Sequence, residues 1–226
     1  MDPGHTTRIK ICCMASIAEA KLALDAGADA LGCVMRMPSG PGPIAEALAR
    51  EIIATVPAEI PTFMLTSEIE AEAILAQLKT TGANTVQIVD FVTPRTRQRL
   101  RNAMPKLRIV QVVHVTGPES VDEARIAAQT SDMILLDSGN PTAKIRELGG
   151  TGRVHDWSVS RKIAESIEVP LWLAGGLRAN NVAAAIEAVS PYGVDVCSGV
   201  RTSGALDEAK VRDFAAAVRD TAATGA

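Results

Sequence analysis

Short apolar runs recur along this chain, separated by longer amphipathic stretches, and that alternation limits the fold more than any other feature. The runs cover residues 8–13, 30–35, 61–65, 85–89, 108–114, 133–137, 170–174 and 193–197. Each has the length of a buried strand and is rich in Val, Ile and Leu. The stretches between them carry apolar residues at helical spacing, as in Ile17, Ala20 and Leu24, then Ile69, Ala73 and Leu78, then Val211, Phe214 and Val218. Ser16 with Glu19 three residues on reads as a capping box, and Gly27 and Gly82 stand where helices end in left-handed turns. Eight such strand–helix pairs in 226 residues close most economically into a (β/α)8 TIM barrel, an α/β fold, as one domain over residues 1–226. A doubly wound open sheet is the competing arrangement. The stretch 138–154 departs from the short connections, and long loops inside compact domains are usually functional.

Composition narrows the function. Aromatic residues are only 3 % of the chain, and Ala, Val, Ile and Leu fill the interior instead, as in parallel sheets covered by helices. A net charge of −3 with no long basic run argues against a nucleic-acid partner. Cys12, Cys13, Cys33 and Cys197 lie in or beside apolar runs without CxxC spacing, so they read as reduced thiols and not as a zinc or disulfide framework. The N-terminus lacks the apolar region of a signal peptide, and no apolar run approaches the ~20 residues that cross a bilayer. A cytoplasmic location without membrane contact is expected.

In a barrel, the active site gathers at the carboxyl ends of the strands. That rule selects Cys12, Cys13, Arg36, Thr66, Asp90, His114, Asp137, Gly175, Gly176, Ser198 and Gly199. Within this set a cysteine can take a proton as thiolate and a carboxylic acid can give one, so Cys12 and Asp137 suggest acid–base chemistry on one small molecule. Alternation along the strand leaves only one of Cys12 and Cys13 facing the lumen. Gly175-Gly176 and Ser198-Gly199 follow the last two strands, the usual phosphate seat of barrels, where backbone N–H groups can approach an anion. Lys10 shares the side of its strand with Cys12. Its ammonium either favours the thiolate at the site or fills a barrel layer in an ion pair. Asp195 reads as an inward, paired carboxylate or a support of the phosphate turn. His114 reads as structural or rim-solvated. Asp156 and Trp157 read as an N-cap and a helix anchor.

Taken in order, these segments resemble the phosphoribosylanthranilate isomerase family of tryptophan biosynthesis over nearly the whole chain. Lys10-Ile11-Cys12 is similar to that family's Lys-Ile-Cys-Gly, and the segment from Ala26 to Gly32 to its entry into the second strand. Val86-Gln87 is similar to its Val-Gln-Leu-His. Leu136-Asp137, then Gly149-Gly150-Thr151-Gly152, then His155-Asp156-Trp157 resemble its Leu-Asp, Gly-Gly-Ser/Thr-Gly and Phe-Asp-Trp series. Ala174-Gly175-Gly176-Leu177 and Val194-Asp195-Val196-Cys197-Ser198-Gly199-Val200 resemble Ser-Gly-Gly-Leu and Val-Asp-Val-Ser-Ser-Gly-Val.

The resemblance implies a cofactor-free and metal-free Amadori rearrangement, turning an aminoaldose phosphate into an aminoketose phosphate. Cys12 is then the general base and Asp137 the general acid. Gln87, Lys10, Arg36 and Arg153 are the implied substrate contacts, the partner is a small phosphorylated sugar-amine, and the chain is a monomer or homodimer. Departures cluster at the aglycone end. Cys13 replaces the family's Gly. The strand-two loop, Met35 to Pro43, has Pro41 or Gly42 where the family has an Arg that grips the anthranilate carboxylate, leaving Arg36 as the nearby cation. Ile88-Val89-Asp90 replaces the residues after Gln87. Two other readings therefore stand beside the first: the same chemistry on a different phosphorylated N-glycoside or aminosugar, and a non-catalytic phosphate-ligand-binding barrel.

Overall fold

The computed structural model describes residues 6–38, 40–139 and 152–224; Ser39 and the Gly149-Gly150-Thr151 motif lie outside them. Eight parallel strands close into a barrel in sequence order. They are β1 (Arg8–Ile11), β2 (Ala30–Val34), β3 (Thr62–Thr66), β4 (Thr85–Ile88), β5 (Arg108–His114), β6 (Met133–Asp137), β7 (Leu171–Leu173) and β8 (Gly193–Val196). Helices lie between them: α1 (Ile17–Asp25), α2 (Glu46–Ala54), α3 (Ala71–Thr81), α4 (Pro94–Ala103), α5 (Ser120–Ala128), α6 (Trp157–Ser166) and α7 (Val182–Val189), with α8 (Glu208–Thr224) after β8. The TIM-barrel expectation holds and the open sheet is excluded, because β1 pairs with β8. Several strands are one or two residues shorter than their apolar runs, since pairing stops where the chain turns out to form the mouth.

Alternation along each strand sorts the side chains into two packed layers. Ile9, Ile11, Leu31 and Cys33 face the helices. Ala30, Phe63, Val110, Met133 and Trp172 fill the lumen. Trp172 meets Phe63 edge-on at 5.7 Å and donates its indole N–H to the Met133 sulfur at 3.3 Å. Gly193 makes room for this ring, since a Cβ there would lie 2.5 Å from it. Two helical stripes read from the sequence differ in detail. Ile17 is exposed, and α1 buries Ala20 and Ala23; Ile69 precedes α3, which buries Ile74, Leu75 and Leu78. Small residues suffice where a helix lies close on the sheet.

The caps follow the expected chemistry. Ser16 accepts from the Glu19 N–H at 3.1 Å and Gly82 ends α3 with φ +74°. Asp156 caps α6 by accepting from Ser158, and Trp157 packs against the core. The Glu19 carboxylate accepts from the Ala15 N–H instead of closing the box on Ser16. It also binds Arg201 at 2.9 Å and accepts from the Leu206 N–H at 3.0 Å, both in the hairpin that follows β8.

The barrel closes over a buried charge pair. Lys10 and Asp195 are register partners across the β1–β8 seam, with Nζ 2.8 Å from Oδ2. The lysine is completely buried, with its ammonium 5.0 Å from the Phe63 ring centre. Burial acts to lower the lysine pKa, but Asp195, with help from Cys12, outweighs it and holds the ammonium above its ordinary range. Removing one partner of a buried pair strands the other charge and typically costs about 3–5 kcal/mol. Lys10→Met is expected to lower unfolding free energy by that amount in urea titration; a loss below about 1 kcal/mol would refute the role of the seam pair.

Candidate active site

The mouth of the barrel opens into a concave cleft that is open to solvent on one side. Cys12, Gln87 and Asp137 line it together with Gly175, Gly176 and Ser198. Five strands thus deliver a carboxyl, a thiol, an amide and both glycine-bearing turns to one space.

Cys12 leaves β1 on the lumen side. Its N–H donates to the Val196 carbonyl at 2.8 Å, which extends the seam by one residue. A Cβ on Gly32 would lie 3.0 Å from the Cys12 sulfur and 3.3 Å from the Lys10 Cε, so Gly32 opens the space these side chains share. Asp137 ends β6. Burial pushes its carboxyl pKa up, against the Ser138 N–H, which donates to Oδ1 at 2.7 Å, and against neighbouring His114. A raised pKa keeps the proton that a general acid must give. His114 is the register partner of Asp137 and binds the Val89 carbonyl through Nε2 at 2.9 Å, so it is buried structure and not a solvated rim residue. Gln87 is buried, and its Oε1 has no partner among the described residues.

The phosphate turns are built on glycine geometry. Gly175 and Gly176 have φ of +87° and +64°. Arg153 backbone atoms crowd Gly176, and a Cβ on Gly199 would lie 2.0 Å from the Leu177 carbonyl oxygen. Side chains are therefore excluded where the β7 and β8 loops meet, and the backbone is left facing the cleft.

Other expected contacts fall elsewhere. Lys10 lies below the cleft floor, committed to Asp195, and does not line it; the layer-filling alternative is the one found. Arg36 is an exposed rim residue outside the lining, while Pro41 occupies the cleft wall. Arg153 contributes backbone beside Gly176, with its side chain exposed. Thr66 turns away from the lumen to donate to Gln77 at 2.6 Å. Cys13 corrects the alternation argument. It lines the cleft as well as Cys12, because φ of +66° takes it out of strand geometry. Asp195 is the inward, paired carboxylate that the sequence suggests, and it also reaches the cleft floor, where its Oδ1 has no partner among the described residues. Cys197, read only as a reduced thiol, sits on the cleft at the tip of β8.

Fold and cleft together define a (β/α)8-barrel enzyme class built for acid–base work on a small anionic ligand. A sequence model of the N-(5'-phosphoribosyl)anthranilate isomerase family matches residues 9–217. N-(5'-phosphoribosyl)anthranilate isomerase 2 of Methanosarcina mazei is 36 % identical over 92 % of both chains. The solved isomerase of Pyrococcus furiosus superposes with a TM-score of 0.78 at 28 % identity, covering 95 % of this chain and 99 % of that one. An isomerase solved in complex with reduced 1-(o-carboxyphenylamino)-1-deoxyribulose 5-phosphate gives 0.79 at 25 % identity, with the same coverage. The chain belongs to the phosphoribosylanthranilate isomerase family, the aldose–ketose isomerases of tryptophan biosynthesis. The comparisons support neither of the two alternative readings.

Where the family motif has Phe, this chain has His155, and that difference is measurable. Its Nε2 pairs with the Ser160 hydroxyl at 2.8 Å, its buried Nδ1 has no partner among the described residues, and burial lowers the pKa to about 4. The unfolded chain therefore binds a proton that the folded one refuses. The associated stability is complete above about pH 6.5 and is lost as pH falls toward 4, by up to about 2–3 kcal/mol. Urea unfolding at pH 7 and pH 5 should show this slope in the native chain, and His155→Phe should flatten it. An unchanged slope in the variant would refute the assignment.

Proposed function

We propose that Cys12 is the base and Asp137 the acid of the family's Amadori rearrangement, acting on N-(5'-phosphoribosyl)anthranilate. The observation that carries this reading is their presence on one cleft with the glycine turns of β7 and β8. The backbone N–H groups of Gly175, Gly176, Ser198 and Gly199 receive the substrate's phosphate, which anchors the ribose between acid and base. The protonated Asp137 carboxyl gives its proton to the furanose oxygen. The C1–O bond breaks, and the nitrogen lone pair forms a C1=N bond. Cys12, as thiolate, removes the C2 proton. The C2–H electron pair becomes the C1=C2 bond of an enolamine, and the C=N pair returns to nitrogen. The enolamine ketonises, losing its O2 proton and gaining one at C1, so the substrate's proton count is unchanged. Gln87, with an unpartnered carbonyl oxygen in the cleft wall, is placed to accept a hydrogen bond from the substrate.

General acid–base groups contribute about 10²–10⁴-fold each. Cys12→Ala and Asp137→Asn should each lower kcat at least ~100-fold, while binding of the reduced product analogue stays within a few-fold. Full activity in either variant would refute its role. Failure of the native chain to rescue a tryptophan auxotroph lacking the isomerase would refute the substrate.

A further inference from the structure

Three of the four thiols meet on one wall of the cleft. Cys12, Cys13 and Cys197 all line it, and all are free. The reason is topological. Ile11 and Val196 are paired across the seam, so the residues that follow in each strand emerge side by side. Cys13 has φ of +66°, a conformation that costs a side-chain-bearing residue energy and that glycine adopts freely. The turn is held there by Arg201, whose guanidinium donates to the Cys13 carbonyl at 2.5 Å and is itself gripped by both Glu19 carboxylate oxygens at 3.0 and 2.9 Å.

The thiols are not equivalent. Cys13 is buried, and Cys197 is partly open to the cleft. Neighbouring Cys13 and the positive charge of Arg201 together outweigh burial and favour the Cys197 thiolate. The Cys13 S–H donates to the Pro41 carbonyl at 3.9 Å, and the adjoining Cys12 and Cys197 sulfurs, then burial, keep it protonated. Cys33, by contrast, is buried among helices with its pKa pushed up to about 12 by that burial, and is inert. An accessible thiolate beside a protonated thiol is the arrangement of a reactive and a resolving cysteine. Among the described residues, no set of three His, Cys, Asp or Glu side chains has metal-holding geometry.

We propose that Cys197 is a peroxide-reactive thiol and Cys13 its resolving partner, making this wall of the cleft a site of reversible oxidation. The Cys197 thiolate attacks one peroxide oxygen, the O–O bond breaks, and hydroxide leaves, giving Cys197 sulfenic acid. The Cys13 sulfur then displaces water from that sulfenic acid and forms the disulfide, its S–H proton leaving with the oxygen. The two thiols lose two electrons and the peroxide becomes two waters. The bridge ties the residue after the base to the residue before the phosphate turn. It therefore blocks turnover, a consequence that rests on the functional reading above.

The test is peroxide treatment of the native protein, alkylation of free thiols, and non-reducing peptide mapping alongside isomerase assay. A Cys13–Cys197 cross-link is expected, with at least a tenfold loss of activity that dithiothreitol restores. Cys197→Ser should lose activity at least tenfold more slowly, relative to its own starting rate. Cys13→Gly, which suits the left-handed turn, should accumulate a dimedone-reactive Cys197 and no cross-link. Oxidation first at Cys12, a bridge involving Cys12, or unchanged inactivation of Cys197→Ser would overturn the proposal. Full activity of the cross-linked protein would instead overturn the placement of catalysis in this cleft, since the mapping does not depend on activity.

Discussion

The seam between the first and last strands carries the rest of this structure. A barrel of eight strands exists only if β1 finds β8, and here the two meet over a lysine and a carboxylate sealed from water. Neither charge tolerates burial alone, so each specifies the other's place. Their pairing fixes the register of both strands and therefore where each one ends. Cys12 follows β1 by one residue and Ser198 follows β8 by two. Cys12 and the glycine-bearing turn after β8 are thus placed by an interaction that lies beneath the cleft.

Above the seam, the same two strands do unusual things. The chain turns at Cys13 in a glycine-like conformation. Arg201, 182 residues from Glu19, spans back to hold that turn. The fold thus accepts local strain beside the cleft and offsets it with a half-buried, multidentate arginine. The opposite wall is quieter. Asp137 accepts from the Ser138 N–H, and burial outweighs that bond and neighbouring His114 to raise its carboxyl pKa.

Much of the architecture was legible because parallel barrels write themselves as a rhythm. Buried strands are continuous apolar runs and helices are periodic, so β5 (Arg108–His114) and β6 (Met133–Asp137) match their runs to the residue. The carboxyl-end rule then brought Cys12, Asp137 and the glycine turns to one mouth with no coordinates. It failed wherever the end of a strand stops behaving as a strand. Thr66 kept its alternation and faced α3, whereas Cys13 abandoned its own and faced the cleft. Lys10 and Arg36 show the same limit, since charge and proximity in sequence do not say whether a cation meets solvent, ligand or a buried partner.

What the sequence determined by itself was the fold class, the order of the strands, the family and the presence of a thiol and a carboxyl at one mouth. These depend on local periodicity and on motifs short enough to be read in place. Only the tertiary structure decided that Lys10 belongs to Asp195, that Arg201 grips the Cys13 turn, and that three thiols share one wall. Each of these joins the two ends of the chain. Contacts at such separation leave no period or spacing in the sequence, because closure of the barrel, and nothing local, creates them.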